Sequence, residues 1–279
     1  MNAQKTQKIY SKDADYQKFE VLKTNRNKRY KYNEFFVEGV RNINEAIKNN
    51  WVINSFIYSY ENKLSNWATD VIKNNKTKIN YELTNELIND LSNKDDSSEL
   101  MMIVQMREDS TKQFSLSNNP IVALFDRPSN KGNLGTIIRS CDALGIEGLV
   151  VTGHAVDIYD PDIIVASMGS FFKIPVIRMA DNNAVCSWID ELKEKYNDLK
   201  IIGTSAHSEK AIYECDLTKP ILFMIGNETD GLSNKFHEIS DEMVTIPMNI
   251  NSSASSFNVA CATSIMFYEA IRQRALKSN

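Results

Sequence analysis

A two-domain α/β architecture is predicted for this 279-residue chain by three features. Residues 34–110 alternate strand-like and helix-like segments. The stretches IVALF (121–125) and ILFMIG (221–226) are wholly apolar, the mark of strands buried on both faces of a parallel sheet. Between these blocks TKQFSLSNN (111–119) has no periodicity and reads as an interdomain linker. The expected domains are 1–112 and 113–279.

In the first domain FFVEG reads as a strand. VRNINEAIKNN follows as a helix with Val40, Ile43 and Ile47 on one face. WVINSFIYSY is a strand and NKLSNWATDVIKNN a helix. KINYEL is a strand, and TNELINDLS is a helix opened by a Thr/Asn cap. A polar loop at 94–98 precedes the strand ELMMIVQM. The result is a small layered β-α-β-α-β-α-β fold. It holds no Gly-rich phosphate loop and no acid–base pair suited to catalysis, so its expected role is to bind or position a partner. Lys23, Arg26, Lys28, Arg29 and Lys31 cluster without an acid, interleaved with Tyr30 and Tyr32. Such a segment can hold phosphates and stack on bases. It reads equally well as a solvated helix face or a frayed terminus.

In the second domain, strand IVALF leads into the turn-rich DRPSNKGNLG and a helix TIIRSCDALG closed by Gly145. The strand EGLVVTG, the polar DIYDPD, the small-residue run VASMGSFF and the strand IPVIR follow. A helix about AVCSWIDELKEKY precedes the strand LKIIGTS. ILFMIG ends in the loop NETDGLS, and MVTIP is the last strand. The chain then runs through Asn, Ser and Ala before a long helical pattern resumes near Asn258, with Ser256 expected as its N-cap. Loops 126–135, 226–233 and 248–257 all leave the C-terminal ends of apolar strands. Open α/β sheets bind ligands at that rim.

Composition narrows the function. Hydrophobic residues make up 42% of the chain, enough for a sizeable core. No apolar run approaches the roughly 20 residues of a membrane span. The polar N-terminus MNAQKTQKIYSKDADYQ is not expected to be a signal peptide. Four scattered cysteines and three distant histidines offer no metal site and no disulfide framework, which fits a reducing cytoplasm. Gly132-Asn133-Leu134-Gly135 lacks dinucleotide-binding spacing. Gly226 to Gly231 has P-loop-like spacing, but Leu-Ser follows where Lys-Ser/Thr is required. ATP and NAD chemistry are therefore poorly supported. Asp126 and His207 read as polar loop residues.

The segment NKGNLGTIIRSCDALGIEGLVVTG (130–153) resembles the first motif of the SpoU/TrmH family of RNA ribose 2′-O-methyltransferases. FMIGNETDGLS (223–233) resembles the second motif, and IPM…SSFNVACATSIMFYEAIRQR the third. FFVEGVRNINEAI is similar to the opening of the ribosomal-protein-like domain of ribosomal RNA members. The resemblance implies a parallel-sheet SPOUT domain with a C-terminal trefoil knot, S-adenosylmethionine bound in the knot, and a homodimer. It implies an RNA substrate, ribosomal RNA in preference to transfer RNA on the look of the first domain. An inactive RNA-binding protein of the same fold is the alternative.

The same resemblance assigns residues. Arg139 matches the catalytic arginine and Asn133 the motif-one asparagine, although Asn133 serves equally as a helix N-cap. Glu228 matches the motif-two glutamate, expected to orient Arg139 or neighbouring loops. Ser256 and Asn258 match the motif-three serine and asparagine. Gly226, Ile246 and Phe257 fall on cofactor-contacting positions, and Thr204 and Ser205 border the same pocket. Arg26, Lys28 and Arg29 are the expected RNA contacts. Three departures stand out: Phe257 replaces the usual leucine, the loop before Ser256 is about two residues longer and lacks its usual glycine, and Val165 stands where many members carry arginine.

Overall fold

The computed structural model describes residues 5–92 and 97–277, so 94–96 of the expected polar loop lie outside the described residues. The chain divides into two compact units.

The first unit comprises Met1–Arg107 and Tyr159–Lys173. Its elements are β1 (Thr6–Ile9), α1 (Ala14–Thr24), α2 (Arg26–Tyr32), β2 (Glu34–Glu38), α3 (Val40–Lys48), β3 (Ile53–Ser59), α4 (Asn66–Asn74), β4 (Asn80–Leu83), α5 (Asn85–Leu91) and β5 (Leu100–Gln105). The expected alternation is present, and Thr84 caps α5 by accepting from the Leu87 N–H. The sheet order is β1-β4-β3-β5-β2, parallel at β1–β4–β3 and antiparallel at β3–β5–β2. β1 was not anticipated, because TQKI is short and mostly polar.

The basic segment is neither frayed nor uniformly solvated. Asn25 ends α1 and caps α2, its side chain accepting from the Lys28 N–H. Arg29, expected to contact RNA, is buried at 1% exposure. Its guanidinium donates to the Leu22 and Lys23 carbonyls at 2.9 Å and to Asp160 Oδ2 at 3.3 Å. That corrects the expectation: a guanidinium engaged in this way is a structural tie and cannot reach a phosphate.

The later segment Tyr159–Lys173 completes this unit's core. Phe171 and Phe172 pack with Phe35 and Trp51, and the Trp51 indole N–H donates to the Phe172 carbonyl at 2.8 Å. The Tyr159 hydroxyl exchanges hydrogen bonds with the Arg107 backbone.

The second unit comprises Glu108–Ile158 and Ile174–Asn279. Six strands are all parallel: β6 (Ile121–Asp126), β7 (Leu149–Thr152), β8 (Val176–Met179), β9 (Lys200–Thr204), β10 (Ile221–Ile225) and β11 (Glu242–Val244). Their order is β11-β9-β10-β6-β7-β8. The helices are α6 (Lys131–Ala143), α7 (Pro161–Ala166, within the first unit), α8 (Asn182–Lys195), α9 (Asn234–Glu238) and α10 (Val259–Lys277). IVALF and ILFMI are fully buried neighbours in the centre of the sheet, as two-sided apolar strands must be. One core joins Val122, Leu124, Leu222 and Met224 to Trp188, Ile189 and Leu192 of α8.

The stretch 111–119 is not a free linker. Phe114 and Leu116 pack on that core, and the Tyr196 hydroxyl donates to the Ser117 carbonyl at 2.9 Å. Gly148 leaves space for the Phe114 ring, which a Cβ there would meet at 2.7 Å.

After edge strand β11 the chain does not end at the sheet edge. It crosses the C-terminal rim and returns as α10 against α6, where the Ser140 and Ser264 hydroxyls lie 2.7 Å apart. Phe267 packs on Phe223 of β10. Arg274 fastens the far end through the carbonyls of Asn119, Leu217 and Lys219.

Candidate active site

The rim of the second unit encloses a cavity of about 720 Å³. Ten residues were assigned to catalysis or cofactor binding, and nine line it: Asn133, Thr204, Ser205, Gly226, Glu228, Ile246, Ser256, Phe257 and Asn258. The loops expected to converge do so, because β6, β10 and β11 belong to one parallel sheet, with only β9 between β10 and β11, and release the chain at one end.

Glu228 is the hub of the rim. One carboxylate oxygen accepts from the Ser129 N–H at 3.1 Å and the Ser129 hydroxyl at 2.8 Å. The other accepts from the Asn130 N–H at 3.2 Å and Asn133 Nδ2 at 3.3 Å. Burial opposes ionisation of this group, but these donors and its own N–H outweigh it and hold the carboxyl below the ordinary carboxylate range. A carboxylate so satisfied is a weak base. It binds the loop before α6 and makes no bond to Arg139.

Two capping assignments change. Asn130 caps α6, its side chain accepting from the Asn133 N–H at 2.9 Å. Asn133 lies inside the helix and lines the cavity, its amide bonded to Glu228 and Asn258. At α10 the cap is Asn258 and not Ser256: Asn258 Oδ1 accepts from the Ala260 and Cys261 N–H groups at 2.9 and 3.3 Å. Asn258 Nδ2 meanwhile donates to Asn133 Oδ1 at 3.1 Å. A chain of hydrogen bonds thus runs from the start of α10 through Asn258 and Asn133 to Glu228, joining the three sequence motifs in space. Ser256 lines the cavity in the loop before this cap.

Gly226 needs its missing side chain. A Cβ there would lie 2.4 Å from the Leu232 nitrogen and 2.5 Å from the Gly231 carbonyl carbon, so the loop folds back onto bare backbone. Its N–H donates to the Thr204 hydroxyl at 3.3 Å, tying the ends of β10 and β9. Ile225, Leu232, Met243, Met248 and Met266 supply an apolar wall, and Glu228 and Asp230 supply negative charge.

Arg139 stands apart. It lies on the exposed side of α6, away from the cavity lining, and forms no ion pair or hydrogen bond among the described residues. The cavity also takes in residues that the sequence did not single out. His207 lines it although read as an ordinary loop residue, and so does Asp230. Asp126, also read as a loop residue, is instead the buried end of β6 and accepts from the Thr152 hydroxyl at 2.9 Å. Asn130 could have been found from its place ahead of the helix. Nothing local in the sequence marks Asp126 or His207.

Residues 120–268 match the model of the SpoU rRNA Methylase family, and residues 13–103 match that of the SpoU L30e-like domain. The chain is 37% identical over 268 residues to the 23S rRNA (uridine(2479)-2′-O)-methyltransferase of Streptomyces viridochromogenes, covering 96% of this chain and 92% of that protein. It is 27% identical over 241 residues to the 23S rRNA (guanosine(2553)-2′-O)-methyltransferase RlmP of Bacillus subtilis, covering 86% and 89%. Among solved structures, the SpoU methyltransferase AviRb from S. viridochromogenes in complex with AdoMet superposes with a TM-score of 0.89 at 37% identity, over 94% of this chain and 98% of that one. Nearly the whole length is shared with the Streptomyces protein. This chain belongs to the SpoU rRNA methylase family.

Proposed function

We propose that this protein transfers a methyl group from S-adenosylmethionine to a ribose 2′-hydroxyl of large-subunit ribosomal RNA. The observation that carries this reading is the Asn258–Asn133–Glu228 chain at the mouth of a cavity built from all three motif loops. The kinship with enzymes named for 23S rRNA 2′-O-methylation supports the choice of RNA.

The cavity fits the cofactor on physical grounds. Its volume lies in the range of small-molecule sites, and its Ile, Leu and Met wall suits a flat purine. Gly226 and Ile246 line the cavity, and the Glu228 carboxylate suits a cationic ligand. Thr204, Ser205 and Phe257 would complete the binding surface. When bound, S-adenosylmethionine supplies an electrophilic methyl on a positively charged sulfur.

The protein's own part is orientation and electrostatics. Asn133, fixed from both sides, presents its amide to the reacting region. Ser256 lines the same cavity and offers a hydroxyl. Arg139, with no internal partner, is available to hold an RNA phosphate and stabilise charge developing on the 2′-oxygen. A guanidinium stays protonated in proteins, so Arg139 serves as a cation and not as the proton acceptor.

In the first unit, Arg26 and Lys28 with Tyr30, Lys31 and Tyr32 on α2 form the RNA-docking surface of this reading. The rim-crossing passage from β11 to α10 supports a trefoil knot, and the exposed Ile265 and Tyr268 of α10 support a homodimer. The free thiols of Cys141, Cys186, Cys215 and Cys261 support a cytoplasmic site of action.

Calorimetry with S-adenosylmethionine tests the reading. Stoichiometric micromolar binding is expected. No binding at millimolar cofactor would remove the cavity from this role.

A further inference from the structure

The 226–233 loop forms one wall of the cavity, and what holds it lies behind that wall. Residues Asp126 and Arg127 at the end of β6 grip the loop at several points without lining the cavity themselves. Asp126 Oδ2 accepts from the Ser233 N–H at 2.9 Å and from Arg127 Nε at 3.1 Å. The Arg127 guanidinium donates to the Gly231 carbonyl at 3.1 Å and lies 3.7 Å from Asp230. The Arg127 carbonyl in turn accepts from Asn227 Nδ2 at 2.6 Å. The loop is thus held at Asn227, Gly231 and Ser233 by two consecutive residues.

The backbone shows that this arrangement is specific. Arg127 has φ of 51°, in the left-handed region that costs a residue with a side chain free energy. A glycine would sit there without cost, yet an arginine occupies the position and uses both its carbonyl and its guanidinium. Gly153 gives the side chain passage: a Cβ on Gly153 would come within 2.7 Å of Arg127 Cγ. Without the grip, the Asn227–Gly231–Ser233 side of the loop would keep only its mutual Asn227–Gly231 backbone pair, with bonds of 2.9 and 3.1 Å, while Glu228 still ties the opposite side to Ser129, Asn130 and Asn133.

We propose that Arg127, seated on Asp126, is a positioning residue that holds the 226–233 loop in its ligand-ready form and so sets the affinity of the cavity for its cofactor. This rests on the reading of the cavity as the S-adenosylmethionine site. The residue acts through Gly226, Glu228 and Asp230, which the loop carries. Loss of the grip raises the cost of ordering the loop at the moment of binding, and appears as weaker binding and not as slower chemistry once the site is filled.

The test compares wild type with Arg127→Gln, Arg127→Lys and Arg127→Gly in the full chain. Arg127→Gly relieves the left-handed backbone, so a defect in it cannot be assigned to backbone strain. In the ligand-free protein, hydrogen exchange at Asn227 and Gly231 is expected to speed at least about tenfold in the Gln and Gly variants, with Lys between them and wild type. S-adenosylmethionine binding by calorimetry is expected to weaken by about tenfold, or about 1.4 kcal/mol. KM for the cofactor should rise in step while kcat at saturation stays within about twofold. Unchanged exchange and unchanged affinity in Arg127→Gly would overturn the proposal, as would a fall in kcat with KM unaltered. Absence of binding in wild type would overturn the cofactor reading instead, and the exchange measurement would still judge the grip.

Discussion

Asn258 performs two tasks with one amide, and two substitutions separate them. Its oxygen caps α10 through the Ala260 and Cys261 N–H groups, and its nitrogen donates to Asn133. Asn258→Ala removes both. Loss of an N-cap costs about 1 kcal/mol. The exposed bond to Asn133 adds about 0.5 kcal/mol. A total of about 1.5 kcal/mol lowers Tm by about 3–6 °C in a chain of this size. Asn258→Ser keeps a capping oxygen and loses the donor to Asn133. Its Tm should fall by only about 1–2 °C, the share of the lost bond to Asn133, since Ser and Asn cap comparably. Its methyl transfer should nevertheless fall at least about tenfold, because Asn133 is then held from one side only and small misplacements of a positioning group are costly. Thermal unfolding and single-turnover transfer of labelled methyl to ribosomal RNA measure the two effects. Full activity in Asn258→Ser would reduce Asn258 to a helix cap. Unchanged Tm in Asn258→Ala would refute the cap itself.

Other expectations follow from the same structure. Arg139→Ala should lose about 100-fold or more in methyl transfer, with Tm within about 1 °C because the exposed side chain supports nothing internal; near-normal turnover would remove it from the mechanism. Arg29→Ala should destabilise the first unit by about 3 kcal/mol, since it takes a buried guanidinium away from Asp160 and from the Leu22 and Lys23 carbonyls, whereas Arg26→Ala with Lys28→Ala should weaken RNA binding and flatten its salt dependence. Glu242, held by hydrogen bonds from Cys215, Lys200 and Lys210, has its carboxyl lowered from 4.5 to about 2. The sign follows from the lowered value: its stabilisation is complete above pH 4.5 and fades as pH falls toward 2. Urea unfolding should therefore show Glu242→Gln about 1–2 kcal/mol less stable than wild type at pH 7, the gap closing between about pH 5 and pH 2.

The second unit was legible in the sequence because buried parallel strands leave an unambiguous mark. IVALF and ILFMI could only be central strands, and the loops after them could only reach one rim. What stayed hidden depended on partners far along the chain. Arg29 looked like a surface cation because Asp160, which buries it, comes 131 residues later. Ser256 and Asn258 are both short polar residues ahead of a helix, and sequence alone does not say which one receives the N–H groups. The stretch 111–119 looked like a linker because its two anchoring side chains, Phe114 and Leu116, have no period. Strand β1 escaped because a four-residue edge strand with exposed faces carries little apolar signal. Asp126 and Arg127 carry no local pattern at all, since their roles exist only once β6 and the 226–233 loop meet.

The most direct measurement is a map of ribose methylation in 23S rRNA incubated with the protein and S-adenosylmethionine, read by primer extension and by mass spectrometry of nucleosides. One new 2′-O-methyl group, stoichiometric with wild type and missing with Arg139→Ala, is the expected result. Methyl groups on bases, or unmodified RNA under conditions where the cofactor binds, would contradict ribose methylation as the function of this cavity.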